Sequence, residues 1–187
     1  EMAHVAAMGI ENILLLTGES YQATPLSYLK EAVQVAKQYF PHISLEVHPM
    51  DEEEYHELFI QGADGITVYQ ETYDRQRYAQ VHISGKKADY DYRYGTPERA
   101  AKGGIRNIAL GILLGLSEPA EDLLALYQHL RYMEKHFPGV EYSLSFPRLR
   151  PIKGKNFAVC DVDDVTLIKI ICLTRILFPR VGINLST

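Results

Sequence analysis

Two cysteines, Cys160 and Cys172, are all that 187 residues contain, which excludes a disulfide framework and fits a reducing compartment. Neither has a second cysteine at metal-ligand spacing, so both read as buried structural thiols. No apolar run reaches the roughly 18 residues of a membrane span, and no basic segment leads into an apolar one as in a signal peptide. The expected location is cytoplasmic. Lysine and arginine number 19 against 24 acidic residues, a net charge of -5, so no general attraction to nucleic acid or anionic membranes is expected. The serine nucleophile elbow, the phosphate loop and the dinucleotide glycine fingerprint are all missing. The histidines form no ligand set: His129 and His136 share a charged helix face and read as solvent-facing, while His48 and His82 lack partners at metal spacing. No metal site is expected within this chain.

At 47% hydrophobic, the chain can bury a core as a single domain, residues 1–187. It is organised around Ile66-Thr67-Val68-Tyr69-Gln70-Glu71-Thr72-Tyr73, a β-rich run ending in hydrogen-bonding side chains. Similar runs occur at 13–17, 43–47, 108–114, 142–146 and 181–185, the last ending at Ser186-Thr187. Between them lie helical patterns. Leu26, Leu29, Val33, Ala36 and Phe40 share one face, Asp51-Glu52-Glu53-Glu54 forms an acidic first turn, and Thr96 and Pro97 read as N-cap and first helical residue. A longer helix after Ser117-Glu118-Pro119 carries Leu123, Leu126, Leu130, Met133 and Phe137. The last helix, 161–177, is expected to start at Asp161 and to turn Val165, Ile168, Cys172 and Ile176 inward.

Alternation of strand and helix every 20 to 35 residues or so marks βα units. A doubly wound sheet and part of a (β/α)8 barrel both fit, and a full barrel needs about 250 residues. Six units that open on the end of a helix favour the α/β class with a partial TIM-type barrel of about six parallel strands and outer helices. The opening helix also suggests a piece of a longer protein. In such folds ligands lie outside the carboxyl ends of the strands.

The strand ends therefore supply the candidate chemistry. Gly18 turns the chain so that Glu19 can receive an ammonium group, or serve as a helix cap or loop acid. Glu71, flanked by Gln70 and Thr72, can accept two hydroxyl donors such as a ribose diol, or belong to a core hydrogen-bond knot. Gly111 and Gly115 flank Leu113 in a glycine-containing strand end, the mark of close approach by a ligand or of tight helix packing. Ser143 and Ser145 alternate onto one face before Pro147, Arg148, Arg150 and Pro151. A guanidinium held between prolines suits bidentate capture of a carboxylate, the alternative being a surface loop with two solvated arginines. The tyrosine-rich segment 73–95 reads as a lid or substrate wall, or as an extra helix and loop.

Thr17-Gly18-Glu19, Val68 through Tyr73, Gly111 through Glu118 and Ser143 through Pro151, taken together and in order, resemble the tyrosine-cleaving radical S-adenosylmethionine (SAM) enzymes. The resemblance covers nearly the whole chain. It implies the central and C-terminal part of a radical SAM barrel, truncated at both ends. It also implies a 4Fe-4S cluster and SAM as cofactors, and cleavage of the Cα–Cβ bond of L-tyrosine to p-cresol and 2-iminoacetate for thiazole (thiamine) biosynthesis. By position, Glu19 would hold the amino group of SAM, Glu71 its ribose, and Leu113 and Gly115 its adenine side. Arg148 would clamp the tyrosine carboxylate, with Gln70, Ser143 and Ser145 beside it. No catalytic side chain is assigned.

One departure is large. The family binds its cluster through C-x-x-x-C-x-x-C, and nothing here matches, so the cluster ligands lie outside this chain and the chain alone is expected to be inactive. The resemblance also implies partners: tyrosine as substrate, a thiazole synthase subunit, and an electron donor such as flavodoxin. Exposed strand edges suggest a homo-oligomer. Two other readings stand beside this one: the related tyrosine lyases of hydrogenase maturation, and a cluster-free module that binds SAM or another small molecule.

Overall fold

The computed structural model describes residues 1–150 and 160–185; Pro151, Ser186 and Thr187, named above at strand ends, lie outside them. Six parallel strands form one sheet in the order β1-β2-β3-β4-β5-β6. Each strand pairs with its neighbour in sequence, as expected when every connection is a right-handed βα crossover. The partial TIM-type α/β fold is therefore the one the sequence indicates. The chain packs as two compact units, Glu1–Val68 with Tyr92–Ile108, and Tyr69–Asp91 with Ala109–Thr187.

In the first unit, α1 (Met2–Ala7) leads to β1 (Asn12–Leu16), whose register on β2 (His42–Glu46) runs from Asn12 opposite His42 to Leu16 opposite Glu46. α2 (Leu26–Ala36) follows Pro25 and buries Leu29, Val33 and Ala36. α3 (Glu52–Gln61) begins with a capping box, in which the Asp51 side chain accepts from the third helical N–H while Glu54 accepts from the Asp51 N–H. The two backbone donors satisfied at this N-terminus explain why the acidic run folds at that point. Ser44 then pairs with Gly65 at the start of β3 (Gly65–Glu71). α6 (Thr96–Lys102) ends at Gly103, where a Cβ would lie 2.8 Å from both the Glu52 carbonyl oxygen and the Tyr55 Cβ. Thr96 is not the cap: it lies inside α6, its hydroxyl donates to the Tyr92 carbonyl at 3.1 Å, and Gly95 takes the cap position. The short α5 (Tyr90–Tyr94) precedes α6 with only Gly95 between them, and this supplies a carbonyl that a free N-terminus would lack.

The second unit holds α4 (Arg75–Val81), β4 (Asn107–Ile112, from Ala109 onward), α7 (Pro119–His136), β5 (Glu141–Ser145), α8 (Asp164–Leu177) and β6 (Gly182–Asn184). Its buried residues include Leu110, Ile112 and Leu114, Leu126, Leu130 and Met133 of α7, and Leu144 and Phe146. Segment 73–95 contains α4, a 3-10 turn at Lys86–Ala88 and α5, so it is helical where sequence periodicity was weakest.

Four expectations are corrected here. α8 is capped by Asp163, whose carboxylate accepts from the Thr166 N–H at 2.7 Å, not by Asp161. Its buried residues are Ile170 and Thr174, while Val165, Ile168 and Ile176 are exposed. The helix is apolar nearly all round, so spacing could not select the face. The buried pair between Thr174 and the Tyr127 hydroxyl, 2.6 Å apart, does so instead. Cys160 and Cys172 are both exposed, and His129 is buried against Tyr73.

Candidate functional site

In the first unit, Glu19 follows β1 and meets Arg93, whose Nη1 lies 3.0 and 3.1 Å from the two carboxylate oxygens. Arg93 is buried although it belongs to a five-residue helix. The carboxylate of Glu46, at the end of β2, is pushed above the usual glutamate range, first by burial. Nearby, the Tyr21 hydroxyl donates to the Pro49 carbonyl, and its ring lies 3.8 Å from that of buried His48. Burial, then the carboxylates of Glu54, Glu19 and Asp51, push the Tyr21 hydroxyl up to about 12. Arg99 donates to the Met50 and Tyr92 carbonyls, and the Tyr92 hydroxyl donates to Asp51. The Glu19 carboxylate after β1 and the buried Arg93 guanidinium of α5 thus lie side by side, the charge pattern that complements an amino-acid zwitterion.

In the second unit, β3 ends in an unusual backbone. Glu71 is the one non-glycine residue with positive φ (70°) among the described residues, a conformation costing on the order of 1–3 kcal/mol. Its carbonyl accepts from the Leu113 N–H at 2.8 Å, which ties β3 to the strand end that carries the glycines. Its carboxylate does not rest on Gln70 and Thr72. Lys87 Nζ lies 2.5 Å from one oxygen and His82 Nε2 3.1 Å from the other.

Thr72 instead belongs to a buried knot. Its hydroxyl and that of Ser117 both donate to Asp122, which also accepts from the Tyr73 N–H at 2.7 Å. Burial raises the Asp122 carboxyl above the usual aspartate range, opposed by the hydrogen bonds from Ser117, Tyr73 and Thr72. Beyond it, the Tyr73 hydroxyl meets Nδ1 of buried His129 at 2.9 Å.

Gly111 is required by close approach. A Cβ there would lie 2.5 Å from the Tyr69 ring and 2.8 Å from the Ser145 carbonyl oxygen. Gly115 is required by conformation, with φ of 98°, and its carbonyl accepts from the Cys160 N–H at 3.1 Å. Ser143 accepts from the Asn184 side chain at 2.9 Å. The Ser145 hydroxyl and the Gln70 amide nitrogen are buried without a hydrogen-bond partner among the described residues. Such groups cost free energy unless something else satisfies them. Arg148 reaches Asp164 at 2.7 Å and the Val162 carbonyl at 3.2 Å; the Asp164 side chain is 83% exposed.

Of the expected residues, the second unit contains Gln70, Glu71, Leu113, Gly115, Ser143, Ser145 and Arg148, with Glu71 bonded to Leu113, while Glu19 belongs to the first. Sequence reasoning missed Arg93, Lys87, His82 and Asp122. Arg93 reaches Glu19 across 74 positions, and no local pattern marks a contact of that range.

The family model described as the Biotin and Thiamin Synthesis associated domain matches residues 145–187. The 2-iminoacetate synthase of Salmonella typhimurium is 39% identical over 184 residues, covering 98% of this chain and 49% of the relative. That of Escherichia coli is 39% identical over 188 residues, covering 100% of this chain and 50% of the relative. The X-ray structure of the FeFe-hydrogenase maturase HydG from Carboxydothermus hydrogenoformans superposes with a TM-score of 0.91 at 32% identity, covering 100% of this chain and 44% of that one. The chain thus spans about half the length of the curated relatives it matches.

Six parallel strands with outer helices and this set of relatives define part of a barrel of the radical SAM class. More particularly, the chain is a homologue of 2-iminoacetate synthase, similar over its own 187 residues to about half of that enzyme.

Proposed function

We propose that this chain forms the SAM- and substrate-binding part of a radical SAM tyrosine lyase that yields 2-iminoacetate and p-cresol. The observation that carries the reading is the 39% identity to 2-iminoacetate synthases over the whole chain, with the four motif stretches in family order. The radical SAM parent is a lyase; tyrosine, the thiazole pathway, a thiazole synthase subunit and a flavodoxin-type donor are proposed for it with the reaction.

The residues present fit SAM and do not fit the cluster. Cys160 and Cys172 are exposed and too few, and no three His, Cys, Asp or Glu side chains gather as a metal site among the described residues. SAM finds better provision. Within the first unit, taken by itself, Glu19 suits an ammonium and Arg93 a carboxylate, since a guanidinium binds a carboxylate in bidentate fashion. Glu71 retains lone pairs for a ribose diol, each carboxylate oxygen having more than one. Leu113, half-buried beside Gly115, presents an apolar edge to the adenine. When bound and reduced, SAM supplies a 5'-deoxyadenosyl radical, chemistry that belongs to the cofactor.

The chain's own residues bind, orient and exclude water. Arg148 holds the tyrosine carboxylate by exchanging its ion pair with Asp164, an exposed partner that is replaced at little cost. The buried Ser145 hydroxyl and Gln70 amide gain partners from the polar end of the ligand, and Ser143 stands on the Ser145 face.

A second reading is favoured by the HydG match: a lyase that cleaves tyrosine and carries its product on to cyanide and carbon monoxide. One experiment separates the two. A full-length enzyme carrying this chain, reconstituted anaerobically with iron and sulfide, receives reductant, SAM and tyrosine, and products are followed by mass spectrometry. p-Cresol and 5'-deoxyadenosine with glyoxylate and no cyanide support the first reading. Cyanide supports the second. Absence of p-cresol with an intact cluster excludes both.

A further inference from the structure

The tyrosine-rich segment after β3 is tied to Glu71 by more than proximity. Gly85 (φ 73°) turns the chain into the 3-10 turn Lys86–Ala88. The hydroxyl of Tyr78, a residue 1% exposed, donates to the Lys87 carbonyl at 2.6 Å, which fixes the backbone from which the ammonium projects. The Tyr78 ring also packs edge-on against His82, with centroids 4.2 Å apart, and against Tyr90 at 5.1 Å. One buried aromatic therefore sets both groups that meet the Glu71 carboxylate. The two reach different oxygens, Lys87 at 2.5 Å and His82 at 3.1 Å, while the Glu71 side chain remains 17% exposed.

We propose that Lys87 is a positioning residue for SAM binding, with His82 as its partner, and that segment 78–87 is the clamp that presents them. The proposal rests on the reading of Glu71 as the ribose-binding carboxylate. A glutamate side chain has three rotatable bonds, and here it stands on a strained backbone at the end of a strand. Left alone, it would sample rotamers and pay entropy to bind a diol. Held by the Lys87 ammonium at one oxygen, with the His82 ring against the other, it offers its remaining lone pairs in one orientation before the ligand arrives. Lys87 touches neither ribose nor reacting atoms in this scheme; it acts through Glu71.

The test uses the full-length, cluster-loaded enzyme and SAM itself, with Kd from equilibrium dialysis and the KM for tyrosine measured beside it. Lys87→Met is expected to weaken SAM binding about tenfold, the scale of one charge-assisted hydrogen bond, with the thermal midpoint and the tyrosine KM unchanged. Lys87→Arg, which keeps charge and donors, should recover most of that loss, a rescue that a packing role would not give. If Lys87→Met leaves the SAM Kd unchanged while Glu71→Gln weakens it, the clamp is overturned and the ribose reading survives. If Glu71→Gln also leaves the Kd unchanged, the ribose reading itself falls, and the proposal with it.

Discussion

Asp122 shows how one side chain can be both expensive and necessary. Burial favours its neutral form, yet the hydroxyls of Thr72 and Ser117 and the Tyr73 N–H all donate to it. Removing the acceptor in Asp122→Ala would leave three donors unsatisfied and should cost about 2 kcal/mol or more, read as a fall in the urea midpoint. The pH dependence has a definite sign. The carboxyl is raised in the folded state, so the fold holds this proton more tightly than the unfolded chain does. Stability from this group is therefore greatest below the usual aspartate value and falls as pH rises to the raised folded one. Asp122→Asn should flatten that part of a urea-midpoint profile against pH. An unchanged slope would assign it to another carboxyl. Asp163 acts in the opposite direction: the Thr166 hydroxyl and N–H hold it below the usual range, so its contribution is lost as pH falls.

At the level of elements, legibility depended on whether one face of a helix is apolar or all of it is. α7 has a polar face, and Leu123, Leu126, Leu130 and Met133 are buried as its spacing indicates. α8 lacks one, and its inward face is chosen by the Tyr127–Thr174 pair, a contact between residues 47 positions apart. The strand ends were legible for a related reason: a β-run stopping at polar residues marks both the end of an element and a place where ligands collect. What the chain could not reveal was which polar group meets which. Glu71 has Gln70 and Thr72 beside it in sequence, but the strand alternates them onto the opposite face, and Lys87 and His82 take their place. The α8 assignment makes a test. Ile168→Lys with Ile176→Lys, both at exposed positions, should change stability by no more than about 0.5 kcal/mol each and reduce binding of a hydrophobic dye. A loss of several kcal/mol in urea unfolding would mean that these residues pack inward after all.

For the whole molecule, the question is how much of a radical SAM reaction 187 residues can support. Binding groups are abundant: Glu19 with Arg93, Glu71 with Lys87, Arg148, and the Ser145 hydroxyl and Gln70 amide, buried without a hydrogen-bond partner among the described residues. Thiolates are not. A 4Fe-4S cluster with an open iron for SAM needs three cysteines brought close together, and the two here are exposed, with Cys160 just beyond the glycine-containing strand end and Cys172 on α8. Recruiting them would require a third ligand that the described residues do not gather. The chain alone, treated anaerobically with iron and sulfide, should therefore show no cluster charge-transfer band after desalting and form no 5'-deoxyadenosine from SAM under reduction. Binding of SAM is a separate matter, because the ammonium, carboxylate and ribose contacts proposed here all come from this chain. Weak, saturable SAM binding without turnover would place recognition in these residues and radical generation elsewhere. A stable cluster on the isolated chain would show that the two functions are not divided in this way.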